Sequence, residues 1–360
     1  MTLPAAKLST QAIRAMRVFA LAAIVAAIAL LSPAIARAAA AGDVVEAGLE
    51  KLPFRERLQP VPLDSGFKMA DYWVWCGSAI KVGDTCHLFA ARWPKTTPFP
   101  EGYREHSEIV RAESKNPLGP YEFKEVVIGK RPGQFWDSGM AHNPEIHKIG
   151  GTFVLFYIAS DGVTKQPNGK YLVRKAGCAT AKSITGPWTR SDQPLIKTES
   201  NNPSVCVERD GSVKMVFRSS TTRARLATAP AFSGPYTIAA DNLSPDAAIE
   251  DFTFFKHGGK YHFFCEDNQG KVSGHNRWGV HFISDNGIDG WRPAEPRVVY
   301  DHTLRFTDGT TLECKRRERP QLLVVDGRAT HLITTVWDGK NAWSQPVEIS
   351  PAIPVESHEK

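Results

Sequence analysis

The residues of this chain that could do chemistry gather at the heads of short apolar runs. In GMAHNPEIHKIGGTFVLFYIAS, His142, Asn143 and Glu145 stand directly ahead of the run Phe153 to Ile158. In IEDFTFFKHGGKYHFF the head is Glu250 and Asp251, and in ECKRRERPQLL it is Glu318 and Arg319. Asn201, Asn202 and Pro203 open NNPSVCV, and Asp137 sits in FWDSGMAHNPE just before the first of these heads. Carboxylates that share one site do general acid–base work, because each charge discourages its neighbour from ionising. Asp251 or Glu318 would act on Glu250 in that way, with Glu250 as the acid. His142, Asn143 and Asn202 suit hydrogen bonding to hydroxyls or the orientation of a carboxylate. Arg319 offers a guanidinium fork for a carboxylate or sulfate, or a structural counter-charge for the acids.

The elements that must position these heads repeat. A polar pair, a short strand, a Gly/Asp turn, a second apolar strand and a third strand ending in a small-residue turn and an aromatic recur five times. The second to fifth copies begin at HNPEIHKIGGTFVLFYIAS, NNPSVCVERDGSVKMVFRSS, EDFTFFKHGGKYHFFCED and ERPQLLVVDGRATHLITTVWDG, and a looser first copy reads VWCGSAIKVGDTCHLFAARW. The GD, GG and DG pairs supply the positive φ that tight hairpins need. One such sheet cannot bury both faces alone, so repeats of this spacing predict an all-β, five-bladed β-propeller rather than a two-sheet sandwich. In a propeller the first strands surround the axis. Counting back from each turn aligns Trp75, His142, Asn202, Glu250 and Glu318, followed by Cys76, Asn143, Pro203, Asp251 and Arg319. That ring would line a polar cleft.

With SITGPWTR and FSGPYT after third strands and the acidic head of IEDFTFF, the chain from about Asp71 onward resembles the five-bladed glycoside hydrolases of family 43 and its relatives, including the neoagarooligosaccharide hydrolases. The resemblance implies a glycoside hydrolase with a carboxylate base opening blade one, a second carboxylate in blade three and a glutamic acid proton donor opening blade four. Glu250 matches the donor. Blade three has Asn201-Asn202-Pro203 where an aspartate is expected, and blade one has Trp75 in register with Asp71 upstream, so Asp71 and then Asp137 are the candidates for the base. Glycosidic cleavage needs an acid for the leaving oxygen and a second carboxylate across the sugar. Trp73, Trp75, Trp93, Trp136 and Trp278 supply stacking faces for a sugar, or core. The expected substrate is an oligosaccharide or polysaccharide of plant or algal origin. A non-catalytic carbohydrate-binding propeller is the alternative, as is a polysaccharide lyase in which His142 or a tyrosine takes a proton and Arg319 holds a carboxylate.

A chain of 360 residues, 42% of them hydrophobic and 10% aromatic, has the composition of a globular protein with a large core. Lys7, Arg14 and Arg17 precede an apolar run, Val18 to Leu31, and then Ala36-Arg37-Ala38, which reads as a secretory signal over residues 1–38. Residues 39–70 read as an N-terminal extension and 71–360 as the propeller. Without the four basic residues of the leader, the formal charge of +6 falls near +2, which excludes a nucleic-acid partner, and the run is too short for stable membrane insertion once the leader is cleaved. The expected location is periplasmic or secreted. Cys76 and Cys86 could bridge neighbouring strands there, or all six cysteines are buried thiols. No cysteine or histidine spacing marks a metal site and no cofactor is required, although an ion at the propeller axis is compatible with the pattern. His87, His262 and His331 recur in second strands as packing residues.

Overall fold

The computed structural model describes residues 53–219 and 223–356. The expected leader and residues 39–52 of the extension lie outside the described residues.

The described chain forms a five-bladed β-propeller of antiparallel sheets. Blade one is β1 (Tyr72–Val82), β2 (Thr85–Pro94), β3 (Glu108–Ser114) and β4 (Glu122–Ile128). Blade two is β5 (Met140–Ile149), β6 (Thr152–Ser160), β7 (Lys175–Ala181) and β8 (Thr189–Arg190). Blade three is β9 (Asn201–Val207), β10 (Val213–Arg218), β11 (Ala224–Ala229) and β12 (Thr237–Ala240). Blade four is β13 (Ile249–His257), β14 (Lys260–Asp267), β15 (Gly279–Ser284) and β16 (Arg292–Tyr300). A small hairpin, β17 (Thr303–Arg305) with β18 (Thr311–Glu313), leads to blade five: β19 (Arg316–Val325), β20 (Arg328–Trp337) and β21 (Ala342–Pro354). Blade five has three strands of its own, and the chain ahead of β1 borders the third. Leu58 bridges Ile349 and Phe67 bridges Ser344, so the start of the described chain straps its end.

Apolar layers between blades make up the core. Phe89, Ile109, Phe153 and Leu155 fill the first gap, and Phe156, Val205, Met215 and Phe217 the second. Leu226, Phe252 and Phe263 fill the third, while Phe54, Phe264, Val299 and Val347 fill the fourth. Val74, Leu88, Leu323 and Ile333 close the ring between blades five and one. Fully burying each such side chain contributes about 1.5–3 kcal/mol, so both faces of every sheet are needed for stability.

The inner strands share a feature the alternating pattern does not reveal. Each breaks register with its partner over two residues, after Trp75, His142, Asn201, Glu250 and Glu318. The first residue of every break has positive φ: Cys76 (58°), Asn143 (52°), Asn202 (53°), Asp251 (60°) and Arg319 (53°). Their side chains turn to the axis and join blade to blade. The Cys76 thiol donates to Asn143 Oδ1, Asn143 Nδ2 to Asn202 Oδ1 at 2.7 Å, and Asn202 Nδ2 to Asp251 Oδ1. Arg319 Nη2 donates to the Pro203 carbonyl at 3.0 Å. One step further along, Ser78, Glu145 and Ser204 accept the backbone N–H of Ile146, Val205 and Phe254 in the next blade.

This corrects the alignment drawn from the sequence at blade three. Asn201, not Asn202, matches Trp75, His142, Glu250 and Glu318, and Asn202, not Pro203, falls in the belt. The other four inner hairpins turn through two residues, whereas β9 and β10 are joined through Glu208–Ser212 around Arg209, Asp210 and Gly211, one residue longer. The disulfide alternative is also overturned. All six cysteines are free, and Cys86 pairs with Lys81, several residues along β1 from Cys76.

Asn202 is the test of the belt. Asn202→Ala removes two belt hydrogen bonds and leaves an L-side chain in the left-handed region, and should cost roughly 2 to 4 kcal/mol in equilibrium urea unfolding. Asn202→Gly loses the same bonds without the backbone penalty and should be milder by about 1 kcal/mol. Equal losses would show that the φ constraint contributes nothing.

Candidate active site

The residue before each break sits at one mouth of the axis, and its cross-strand partner stands behind it. Trp75 pairs with Ala91, His142 with Ile158, Asn201 with Arg218, Glu250 with Glu266 and Glu318 with Thr335. Blades four and five therefore bring Glu250, Glu266 and Glu318 together, with Asp251 one step deeper in the belt. Alternating arginines thread these acids. Arg218 Nε lies 2.9 Å from Glu250 Oε2, and Asn268 Nδ2 donates to Glu250 Oε1 at 2.9 Å. Arg277 Nη1 donates to Glu266 Oε1 at 2.6 Å and to Glu318 Oε1 at 2.9 Å. Arg316, two residues before Glu318 and so on the same strand face, grips both of its oxygens.

A loop after β14 delivers two of these partners. The Asp267 carboxylate accepts the backbone N–H groups of Lys271, Val272 and Ser273 and the Ser273 hydroxyl, which folds the segment back on itself. Asn268 and Arg277 then project toward the acids from its two ends. Arg277 holds a left-handed backbone, φ 63°, in a non-glycine residue, a cost that persists only where surrounding contacts fix it.

Burial and mutual repulsion act against ionisation of the two most enclosed acids. Glu266 has no solvent exposure, and burial, followed by the charges of Glu318, Glu250 and Asp251, pushes its carboxyl well above the usual range. Its Oε2 has no hydrogen-bond partner among the described residues. Burial and the charge of Glu250 push Asp251 up to about 7. Glu250 is the most open of the group, with its side chain 13% exposed. The mouth thus sets a fully buried carboxyl, whose ionisation is disfavoured, directly across two strands from the more open Glu250, each held by an arginine.

The other walls are aromatic and cationic. Phe99, from the loop after β2, is packed among Trp73, Trp75, Trp93 and Trp337, with centroids 4.7 to 5.8 Å away, and Arg316 lies over Trp75 and Phe99. Tyr103, in a one-turn helix Tyr103–His106, stacks on His142 at 4.5 Å. His142 is buried, its Nδ1 is 2.8 Å from Ser107 Oγ, and burial followed by the charges of Arg174 and Arg319 drives its imidazole well below its ordinary value.

Not every residue expected at the site is there. Asp137 is fully buried, accepts the Tyr157 hydroxyl at 2.8 Å and pairs with Arg131 at 2.7 Å and Arg190 at 3.7 Å, an internal ion pair of blade two. Asp71 is exposed just ahead of β1, outside the hydrogen bonds and ion pairs that join the four acids. Asn143, Asn202 and Arg319 are belt residues, and a belt position keeps Arg319 from holding a substrate carboxylate. Trp278 is sandwiched between His275 at 3.8 Å and Arg55 at 6.0 Å, away from the Phe99 cluster, while Trp136 packs on Tyr157. Glu250, Asp251, Glu318, His142 and Trp75 do gather around one mouth. Glu266 and the arginines 218, 277 and 316 were not singled out. The acidic end of KYHFFCED, in the same second-strand position as Arg218 at the end of KMVFR, is the signal that finds Glu266.

Oxygens of Asp251, Glu266 and Glu318 lie within 4.8 Å of one another, the geometry of a possible cation site. Arg277, Arg316 and Arg319 already supply the counter-charge, so this set fits a shared proton better than a divalent ion. A cavity of about 670 Å³ opens at the other end of the axis, among Lys81, Glu145, His147, Lys256 and Gln321, away from the acids.

No family model and no curated protein matches the sequence. Solved structures with a similar fold include a family 117 glycoside hydrolase of the marine bacterium Zobellia galactanivorans, with TM-score 0.57 and 13% identity over 81% of this chain and 88% of that one. Another is the catalytic domain of a family 62 α-L-arabinofuranosidase of Coprinopsis cinerea, with TM-score 0.58 and 13% identity over 84% and 99%. A third is a Bacillus subtilis arabinanase, with TM-score 0.53 and 16% identity over 76% and 93%. At these identities the likeness is one of fold.

The raised carboxyl at Asp251 has a consequence for stability. The folded state keeps a proton that the unfolded chain releases near 3.8, so stability is lost as pH rises from about 4 to about 7. Asp251→Asn preserves the belt acceptor and cannot ionise. Its gain in melting temperature over the parent should therefore grow from pH 4 to pH 7 and then level off. A gain that is flat or shrinks over that range would contradict a protonated Asp251.

Proposed function

We propose that the chain is an exported glycoside hydrolase acting on plant or algal saccharides at the acidic mouth of the propeller. One observation carries this reading: Glu266, a fully buried carboxyl whose ionisation is disfavoured by burial and by the neighbouring acids, pairs across the strands with Glu250, the most open acid of the group. Environments that drive two carboxyls apart in protonation separate the acid from the base. The named activities of the solved structures that share this fold support the same chemistry, and the basic and apolar leader supports export.

On this reading Glu266 gives its proton to the glycosidic oxygen as the bond to the anomeric carbon breaks. Glu250 then attacks the anomeric carbon, and Glu266, now ionised, takes a proton from the water that releases the sugar. Arg277 and Arg316 keep Glu318 in place as the charge that holds the proton on Glu266. By sequence the acid falls at Glu250; the assignment proposed here moves it to Glu266 because Glu266 is the more deeply buried of the two, each being held by an arginine.

Substituting each carboxyl separates the roles. Glu250→Gln should lower turnover of oligosaccharides and activated aryl glycosides alike, by about 10²- to 10⁴-fold, with ligand affinity retained. Glu266→Gln should lose oligosaccharide turnover yet still react with aryl glycosides, whose leaving groups need no proton. The reverse pattern would exchange the two assignments. Products should be reducing ends without ultraviolet absorbance. An unsaturated product would mean elimination, and binding without turnover by the parent protein would mean a carbohydrate-binding propeller.

A further inference from the structure

Two arginines on the blade-two side of the mouth are less closely matched by carboxylates than the others: Arg174 has only a shared one at the edge of ion-pair range, and Arg104 has none among the described residues. Arg218, Arg277 and Arg316 each hold an acid of the site, but Arg104 forms no ion pair among the described residues. The nearest carboxylate to Arg174 is Glu199 at 3.8 Å, which already accepts Gln166 Nε2 at 2.6 Å and Asn201 Nδ2 at 2.9 Å. The Nε groups of both Arg104 and Arg174 are buried without a hydrogen-bond acceptor. Both guanidinium groups flank one ring, Tyr103, at 5.3 and 5.9 Å from its centre, and Arg174 Nη1 donates to the Tyr103 hydroxyl. Arg104 also lies 4.6 Å over Tyr171, whose ring Lys170 approaches to 5.1 Å.

The place of this cluster matters as much as its charge. Tyr103 stacks on His142, which occupies in blade two the register position that Glu250 holds in blade four. The paired arginines therefore stand across the mouth from the acids. Partly buried guanidinium donors left unfilled are costly, and a guanidinium fork is matched to an oxyanion.

We propose that the mouth takes an acidic saccharide, whose carboxylate or sulfate docks between Arg104 and Arg174 while its glycosidic oxygen reaches Glu266. This rests on the hydrolase reading and adds the substrate class to it. The experiment titrates the full chain, carrying Glu266→Gln to prevent turnover, with three tetrasaccharides of equal length: galacturonic acid, sulfated galactose and unmodified galactose. At low salt at least one acidic ligand should bind about tenfold or more tightly than the neutral one, and the better of the two distinguishes carboxylate from sulfate. Adding Arg104→Gln and Arg174→Gln should bring acidic and neutral affinities within about twofold of each other. Arg104→Gln alone, on a partly exposed side chain, should cut the preference at an unchanged melting temperature and serves if Arg174 is needed for folding. Equal or tighter binding of the neutral ligand, or a preference that survives the arginine substitutions, would overturn the proposal. If neutral glycans are bound and cleaved by the parent protein, the hydrolase reading stands and only the substrate class fails; if no saccharide binds or is cleaved, both fail.

Discussion

The structure depends on one backbone constraint: each inner strand leaves the extended conformation at the same position. A left-handed residue there turns its side chain to the axis, where hydrogen bonds link Cys76, Asn143, Asn202 and Asp251 in sequence and Arg319 reaches blade three. Asparagine and aspartate suit the position because they tolerate positive φ and carry short hydrogen-bonding groups. Cysteine and arginine do so less readily, which makes blades one and five the places where the surrounding contacts enforce the shape. With the belt fixed, the residue before it is committed to the mouth and the residue two beyond it to the neighbouring blade. The acids are therefore positioned by strands and not by loops, the more accurate of the two supports.

Charge is the second organising influence. Removing carboxylates from water is unfavourable unless each finds a partner or keeps a proton, and this mouth uses both solutions. Arg218 comes from the second strand of blade three and Arg277 from the loop after the second strand of blade four, so the counter-charges arrive from behind the inner strands. Tyr300, the last residue of blade four's outer strand, is fully buried, and burial followed by the charges of Glu266 and Asp251 pushes its hydroxyl well above the usual range. The result is a site whose buried acids, Asp251 and Glu266, are pushed toward their neutral forms.

Much of this was legible in the sequence because the hairpin signals are local. GD, GG and DG between alternating strands gave five repeats, and the polar heads fell at the strand starts that meet at the axis. The register failed only at blade three, where the turn through Arg209, Asp210 and Gly211 is one residue longer and imitates the others in composition. Glu266 was hidden because it ends an apolar strand, and its importance arises from pairing with Glu250, a contact no spacing rule displays. Asp137 looked like a rim residue because FWDSG reads as a loop, yet Arg131 and Arg190 draw it inside. Arg104 and Arg174 lie in segments whose only organising contacts are made in three dimensions.

The strap formed by Leu58 and Phe67 along β21 joins points separated by nearly the whole described chain. Blades one to four can each assemble from neighbouring sequence as it emerges, but the ring cannot shut until the final strand exists to receive a segment synthesised long before. Until then an open arc exposes the apolar flanks of two blades, and the mouth, which draws its walls from both sides of the gap, has no function to perform. Closure by the oldest described segment thus waits on β21, so that a chain cut short of that strand would be an open and sticky crescent rather than a loosened ring.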